Sequence, residues 1–102
     1  MYGSIRRYRV KSNNVDEVIN RVKSGLLPLL EKTPGFVGYY TLGPNDGKVT
    51  SFTVCENQAA VDQVNRTAVD WVKRNLPNDL SDPEIISGEL TISLMHQHVG
   101  TR

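Results

Sequence analysis

Asn65 is the residue of this chain best placed for substrate chemistry. It is a single amide inside an apolar helical stripe of Val61, Val64, Ala68, Val72 and Leu76, and an amide can both donate and accept hydrogen bonds. Read as structure, such an amide is satisfied by nearby protein groups. Read as chemistry, it orients a ligand oxygen. Trp71 lies six residues on, on a different side of the same helix. Its ring ordinarily serves burial, and its indole N–H is the group that could line a pocket. Tyr39 and Tyr40 are consecutive, so on a strand they point to opposite faces. One can line a cavity between helix and sheet while the other faces a partner molecule. Asn65, Trp71, Tyr39 and Tyr40 are therefore the expected substrate-binding set, and no catalytic group is assigned.

The remaining reactive side chains form no recognisable constellation. Cys55 has no evident base beside it and reads as a small buried residue. Ser51, Thr53 and Ser93 belong to no triad that the sequence can place. His96 and His98, two residues apart near the chain end, read as solvent-exposed rather than as metal ligands. Arg6, Arg7 and Arg9 alternate along a strand, and an arginine directed inward is expected to pair with Glu89 on the neighbouring strand.

Composition narrows the function classes. The chain of 102 residues is sized for one domain with apolar surface left over for a partner; residues 1–96 are expected to form it, with 97–102 as a tail. Twelve Lys and Arg against 11 Asp and Glu give no basic field, so nucleic acid is not an expected partner. One cysteine and two histidines supply neither an intrachain disulfide nor a structural zinc set, and a cytoplasmic location follows as the expectation. The first residues lack the apolar core of a signal peptide, and no run approaches the roughly 18 apolar residues of a membrane span. No phosphate-cradling glycine motif follows a strand, and the histidine and cysteine ligand sets are missing, so neither flavin, haem nor metal is expected as a cofactor.

The elements that must position these residues can be read in order. Tyr2 to Lys11 alternates as a strand. Asn14 is an expected N-cap, and Val15, Val18, Ile19, Val22, Leu26, Leu29 and Leu30 form one helical face. Pro28 predicts a kink near Ser24-Gly25. A hairpin spans residues 34 to 57 around Gly43-Pro44-Asn45-Asp46-Gly47. In it Phe36, Gly38, Tyr40 and Leu42 share one face and Val37, Tyr39 and Thr41 the other. Asn57 caps a second helix that Pro77 stops. Glu84 to Met95 alternates as a long final strand. The order βαββαβ is the ferredoxin-like α+β arrangement, with a four-stranded antiparallel sheet covered by helices on one face. The other face, carrying Tyr, Phe and Leu, predicts a homodimer packed sheet to sheet.

The lead-in Pro34-Gly35-Phe36-x-Gly38-Tyr39, the short hairpin, and a third strand ending Val54-Cys55-Glu56-Asn57 before Gln58-Ala59-Ala60 resemble the antibiotic biosynthesis monooxygenase-like family of dimeric α+β barrels. The resemblance covers roughly residues 2 to 95. It implies a small-molecule site, since that superfamily includes cofactor-free monooxygenases acting on aromatic polyketides, haem-degrading monooxygenases and proteins without known activity. Cys55 stands where many members have Trp, and the second helix carries no histidine for a haem iron. The polyketide enzymes use an Asn and a Trp near the second helix, for which Asn65 and Trp71 are the nearest matches. The expected function is a cofactor-independent monooxygenase acting on a small aromatic substrate. The alternatives are a non-catalytic small-molecule binding or sensing module and a structural dimerisation domain.

Overall fold

The computed structural model describes residues 1–94. Its centre is β1 (Tyr2–Arg9), which pairs antiparallel with β3 (Lys48–Cys55) on one side and β4 (Glu84–Glu89) on the other. β2 (Phe36–Asn45) adds antiparallel to β3, giving the order β2-β3-β1-β4. This is the expected ferredoxin-like α+β sheet.

The first helical body lies between β1 and β2 in chain order and has three parts. α1 (Val15–Arg21) passes into a π-helical turn (Val22–Leu26), in which the Leu27 N–H reaches back five residues to the Val22 carbonyl, and then into α2 (Leu27–Glu31). The expected kink at Ser24-Gly25 is thus a widened turn, with Pro28 seated in the first turn of α2, where no intrahelical N–H is needed. The apolar pattern explains the widening. Val18, Val22, Leu26 and Leu30 recur every fourth residue, a spacing that drifts about 40° per step on an α-helix of 3.6 residues per turn. A wider turn cancels the drift and holds all four on the core side. Leu29, expected on that face, is 42% exposed as a result. The Asn14 side chain makes no cap bond, contrary to expectation; its carbonyl accepts from the Val18 N–H at 3.0 Å.

The hairpin closes at Asp46-Gly47, both with positive φ (53° and 72°), the two-residue turn whose twist suits antiparallel strands. A register shift between Phe36 and Gly38 leaves Val37 without a partner. This bulge moves Phe36 off the face of Gly38, Tyr40 and Leu42 and onto the helix side, opposite Cys55 and against the core, because one extra residue reverses the alternation.

α3 (Gln58–Asn75) begins at Asn57, whose Oδ1 accepts from the Ala60 N–H at 2.9 Å, a cap worth about 1 kcal/mol. Its buried face is Ala60, Val61, Val64, Ala68 and Val72, and the two alanines let it sit low on the sheet. It ends before Pro77, with Asn75 Nδ2 donating to the Trp71 carbonyl at 2.9 Å.

β4 stops at Glu89, short of the expected Met95. Glu89 is opposite Tyr2, the first residue of β1, so the partner strand has run out. One more bond, from the Leu90 N–H to the Met1 carbonyl (2.9 Å), ends the pairing. Met95, His96, His98 and the expected tail lie outside the described residues. Among those described, no helix is long and apolar enough to cross a membrane.

Candidate functional site

The strand register sorts the side chains. Tyr2, Ser4, Arg6 and Tyr8 of β1, Val49, Ser51, Thr53 and Cys55 of β3, and Tyr39 and Thr41 of β2 share the helix side. Two apolar clusters lie beneath the helices. One gathers Leu26, Leu30, Cys55, Val61 and Val64, with Tyr2 against it. The other gathers Tyr8, Val18, Val72, Leu76 and Leu80. Between Tyr2 and Tyr8 along β1 stand Ser4 and Arg6, so a polar layer separates the clusters.

Arg6 is 1% exposed. Its Nη1 donates to Asn65 Oδ1 at 2.8 Å and its Nη2 to Thr53 Oγ1 at 3.3 Å. Ser4 Oγ also donates to Asn65 Oδ1, at 2.8 Å. Asn65 is therefore a tether between α3 and β1. The sequence placed it correctly inside the helix stripe, but its oxygen is committed to protein donors. The expected Arg6–Glu89 pair does not form. Glu89 lies opposite Tyr2, whereas Arg6 faces Ile85 across the strands. No acid neutralises Arg6 among the described residues, where the one ion pair is the exposed Arg74–Asp70.

A cavity of about 400 Å³ opens beside this layer, between the first helical body and the sheet. Val18, Val22, Leu26 and Leu27 roof it, Val49 and Ser51 floor it, and Arg6, Tyr8, Tyr39 and Lys23 supply most of its polarity. The first helical body stands off the sheet here, whereas α3 fills its own side with small residues. Of the consecutive pair, Tyr39 lines the cavity; Tyr40, 66% exposed, points out of the opposite sheet face. Trp71 does not line it. The indole packs over Gly25, where an added Cβ would lie 2.7 Å from Cζ2, so the ring locks α3 to the π-helical turn. Asn65 borders only a shallow groove shared with Ile85.

Among the described residues two buried side-chain polar atoms lack a partner, Arg6 Nε and Tyr8 Oη, and both residues line the cavity. Burial pushes the Tyr8 phenol above its ordinary 10, opposed by the Arg6 charge beside it, although no Arg6 atom stands in hydrogen-bond geometry to Oη. Burial also pushes up the Cys55 thiol, opposed by a backbone hydrogen bond from Val37 and by the Arg6 charge. Cys55 is fully buried, so it is no nucleophile at neutral pH. Sequence reasoning missed Tyr8 and gave Arg6 the wrong partner. The signal was the Ser4-Arg6-Tyr8 alternation, a polar run whose inward direction only the register decides.

No described residues form a group of three or more His, Cys, Asp or Glu able to hold a metal ion. The histidines of the sequence are His96 and His98, both outside the described residues, and among the described residues neither the cavity nor α3 offers imidazole to a haem iron.

The family model for antibiotic biosynthesis monooxygenase matches residues 1–69. No curated protein matches the chain. Among solved structures, the fold is similar to a protein of unknown function from Nitrosomonas europaea, at TM-score 0.74 and 19% identity over 95% of this chain and 95% of that one. It is also similar to the heme-degrader MhuD from Mycobacterium tuberculosis, solved with two hemes bound, at TM-score 0.71 and 19% identity over 93% of this chain and 100% of that one. SnoaB, a cofactor-independent oxygenase from Streptomyces nogalater, aligns at TM-score 0.67 and 15% identity over 93% of this chain and 97% of that one. At such identities the likeness is one of fold.

Proposed function

We propose that this chain, which belongs to the antibiotic biosynthesis monooxygenase family, binds a small reduced aromatic molecule in the cavity under its first helix and oxygenates it without a cofactor. The observation that carries this reading is the cavity itself. It is about 400 Å³, walled mainly by aliphatic side chains with a few convergent polar groups, which is the size and character of a small-ligand site. SnoaB, of similar fold, is a cofactor-independent oxygenase. The heme-degrader reading has less support, because among the described residues the cavity walls carry no histidine.

Within that site the chain's residues would hold the ring between Tyr39 and the aliphatic roof and exclude water from it. A benzylic carbon flanked by aromatic rings loses a proton, and the carbanion passes one electron to dioxygen. The resulting radical and superoxide join through a new C–O bond. The carbon then loses its second proton as the O–O bond breaks, leaving a carbonyl and releasing water. The substrate supplies all the electrons, so no external reductant enters the balance.

A second reading, binding without turnover, is favoured by one observation. No carboxylate or imidazole lines the cavity among the described residues, so a general base is missing. Purified protein mixed with 1,8-dihydroxyanthrone decides between them. Oxygenation predicts oxygen uptake and anthraquinone formation in equal amounts, above the buffer rate and with no cofactor added. Binding of the anthrone with no rate above buffer supports the binding module instead.

The open sheet face is assigned to a second copy of the chain. Tyr40, Leu42 and Ile86 are 66%, 71% and 69% exposed there, alongside half-buried Phe52 and Val54. A contiguous apolar face of this kind is covered in a symmetric pair. A cytoplasmic location belongs to the same reading, supported by a buried cysteine without a partner thiol.

A further inference from the structure

We propose that the cavity takes its ligand as an oxyanion, the charged oxygen resting against the Arg6 guanidinium and the Tyr8 hydroxyl. The inference rests on the reading of the cavity as a ligand site and adds the charge of what enters it.

The charge balance of the polar layer is the argument. Arg6 is almost wholly buried, and its two hydrogen-bond acceptors, Asn65 and Thr53, are neutral amide and hydroxyl oxygens. Neutral acceptors satisfy donors but do not offset a desolvated charge, and a buried cation is expensive without a counter-charge. Among the described residues its Nε has no acceptor, and the Tyr8 Oη beside it has no partner. These are two neighbouring groups on the same face of one strand, both in the wall of one cavity. Both atoms are themselves covered, so an anionic oxygen drawn in from the cavity would reach them through a small shift of the two side chains, accept from both and supply the missing charge, in the charge-assisted bonds that are the strongest of their kind.

The other charged and titratable groups that face this point are few. β2 brings Tyr39, the π-helical turn brings Lys23, and β3 brings the buried Cys55 thiol; α3 faces it with neutral Asn65 and β4 with Ile85. Lys23 lines the cavity and is exposed. Among the described residues nothing anionic competes for Arg6. The same arrangement answers the missing base, because a site that holds the anion lowers the pKa of the acid it binds.

The test uses three naphthalenes of similar shape, 1-naphthol, 1-naphthoate and neutral 1-methoxynaphthalene, titrated into the full chain by calorimetry. At a pH above the ionisation of each acid, 1-naphtholate and 1-naphthoate should bind at least tenfold tighter than the ether. The naphtholate and naphthoate arms tell an aryloxide from a carboxylate ligand. Arg6→Gln should erase the preference, and Arg6→Lys should keep part of it. Absorbance of bound 1-naphthol in the unaltered protein gives a readout that does not depend on any variant folding; its ionisation should move down by at least one pH unit. Ether and acids binding alike, with no shift in naphthol ionisation, would overturn the inference and leave the cavity reading standing. A preference that survives Arg6→Gln and disappears in Lys23→Gln would overturn it too. Binding by none of the three removes the cavity reading and this inference with it.

Discussion

Arg6 on β1 and Asn65 on α3, 59 positions apart in the chain, meet through a 2.8 Å hydrogen bond from Nη1 to Oδ1 that joins the sheet to the second helix at mid-core. Ser4 donates to the same oxygen, so replacing Asn65 leaves two donors without their acceptor, one of them charged.

Asn65→Leu is therefore expected to cost about 1–3 kcal/mol, the penalty for stranding buried donors. At this chain length each kcal/mol lowers the melting temperature by about 4–8 °C. A thermal melt of the variant checks it. An unchanged melting temperature would release Asn65 from its structural role and return it to the list of ligand contacts.

Gly25→Ala is expected to destabilise by about 1–3 kcal/mol, the usual range for overpacking, since the new methyl would lie 2.7 Å from the Trp71 ring. Trp71→Leu in the same chain should recover part of the loss by making room. The double-mutant cycle measures the coupling directly. Independent, additive effects would show that the ring simply moves aside.

Tyr8 makes stability depend on alkaline pH. Its folded pKa is raised above 10, so above the ordinary value the unfolded chain gives up a proton that the folded chain keeps. Unfolding is then favoured as pH rises. The contribution is intact below about pH 10 and is lost between there and the raised folded value. Tyr8→Phe should flatten this alkaline decline in denaturant titrations. At neutral pH it should change stability little, since the hydroxyl it removes has no partner. Equal alkaline slopes in both proteins would count against a buried, unionised phenol.

Ile86→Glu or Tyr40→Glu should split the proposed pair, because a symmetric contact places each new charge close to its copy. Sedimentation of the unaltered chain is expected at twice 11.4 kDa, and of either variant at 11.4 kDa. Helical content should be unaffected, since both residues lie on the face away from the helices. A monomeric unaltered chain at micromolar concentration refutes the pairing.

Much of the fold was legible because it rests on local signals. Asn57 reads as a cap and is one, Pro77 follows the end of α3, and the hairpin follows from an Asp-Gly turn between β-branched runs. The misreadings came from non-local facts. Phe36 changes face because of a bulge at Val37, which alternation alone does not reveal. β4 is short because β1 begins at Tyr2, so the neighbour rather than its own pattern sets its length. The site was partly legible for the same reason. That Tyr39 and Tyr40 would face apart is fixed by strand geometry, but which tyrosine faces inward, and that Arg6 is inward with no acid beside it, depends on the register between strands far apart in sequence.

The π-helical turn sets a limit on what the helix can lose. Such a turn holds one residue more than an α-helix needs. Deleting Ser24, an exposed position, would bring Leu26 and Leu30 to three and seven places beyond Val22, the ordinary spacing of an α-helical face. The regularised helix would still cover the core, and its backbone bonds would improve. The shortened turn would, however, redraw the roof, because Val22, Lys23 and Leu26 all line the cavity. The extra residue thus trades helical regularity for the shape of the chamber. A chain relieved of it should melt higher and bind less.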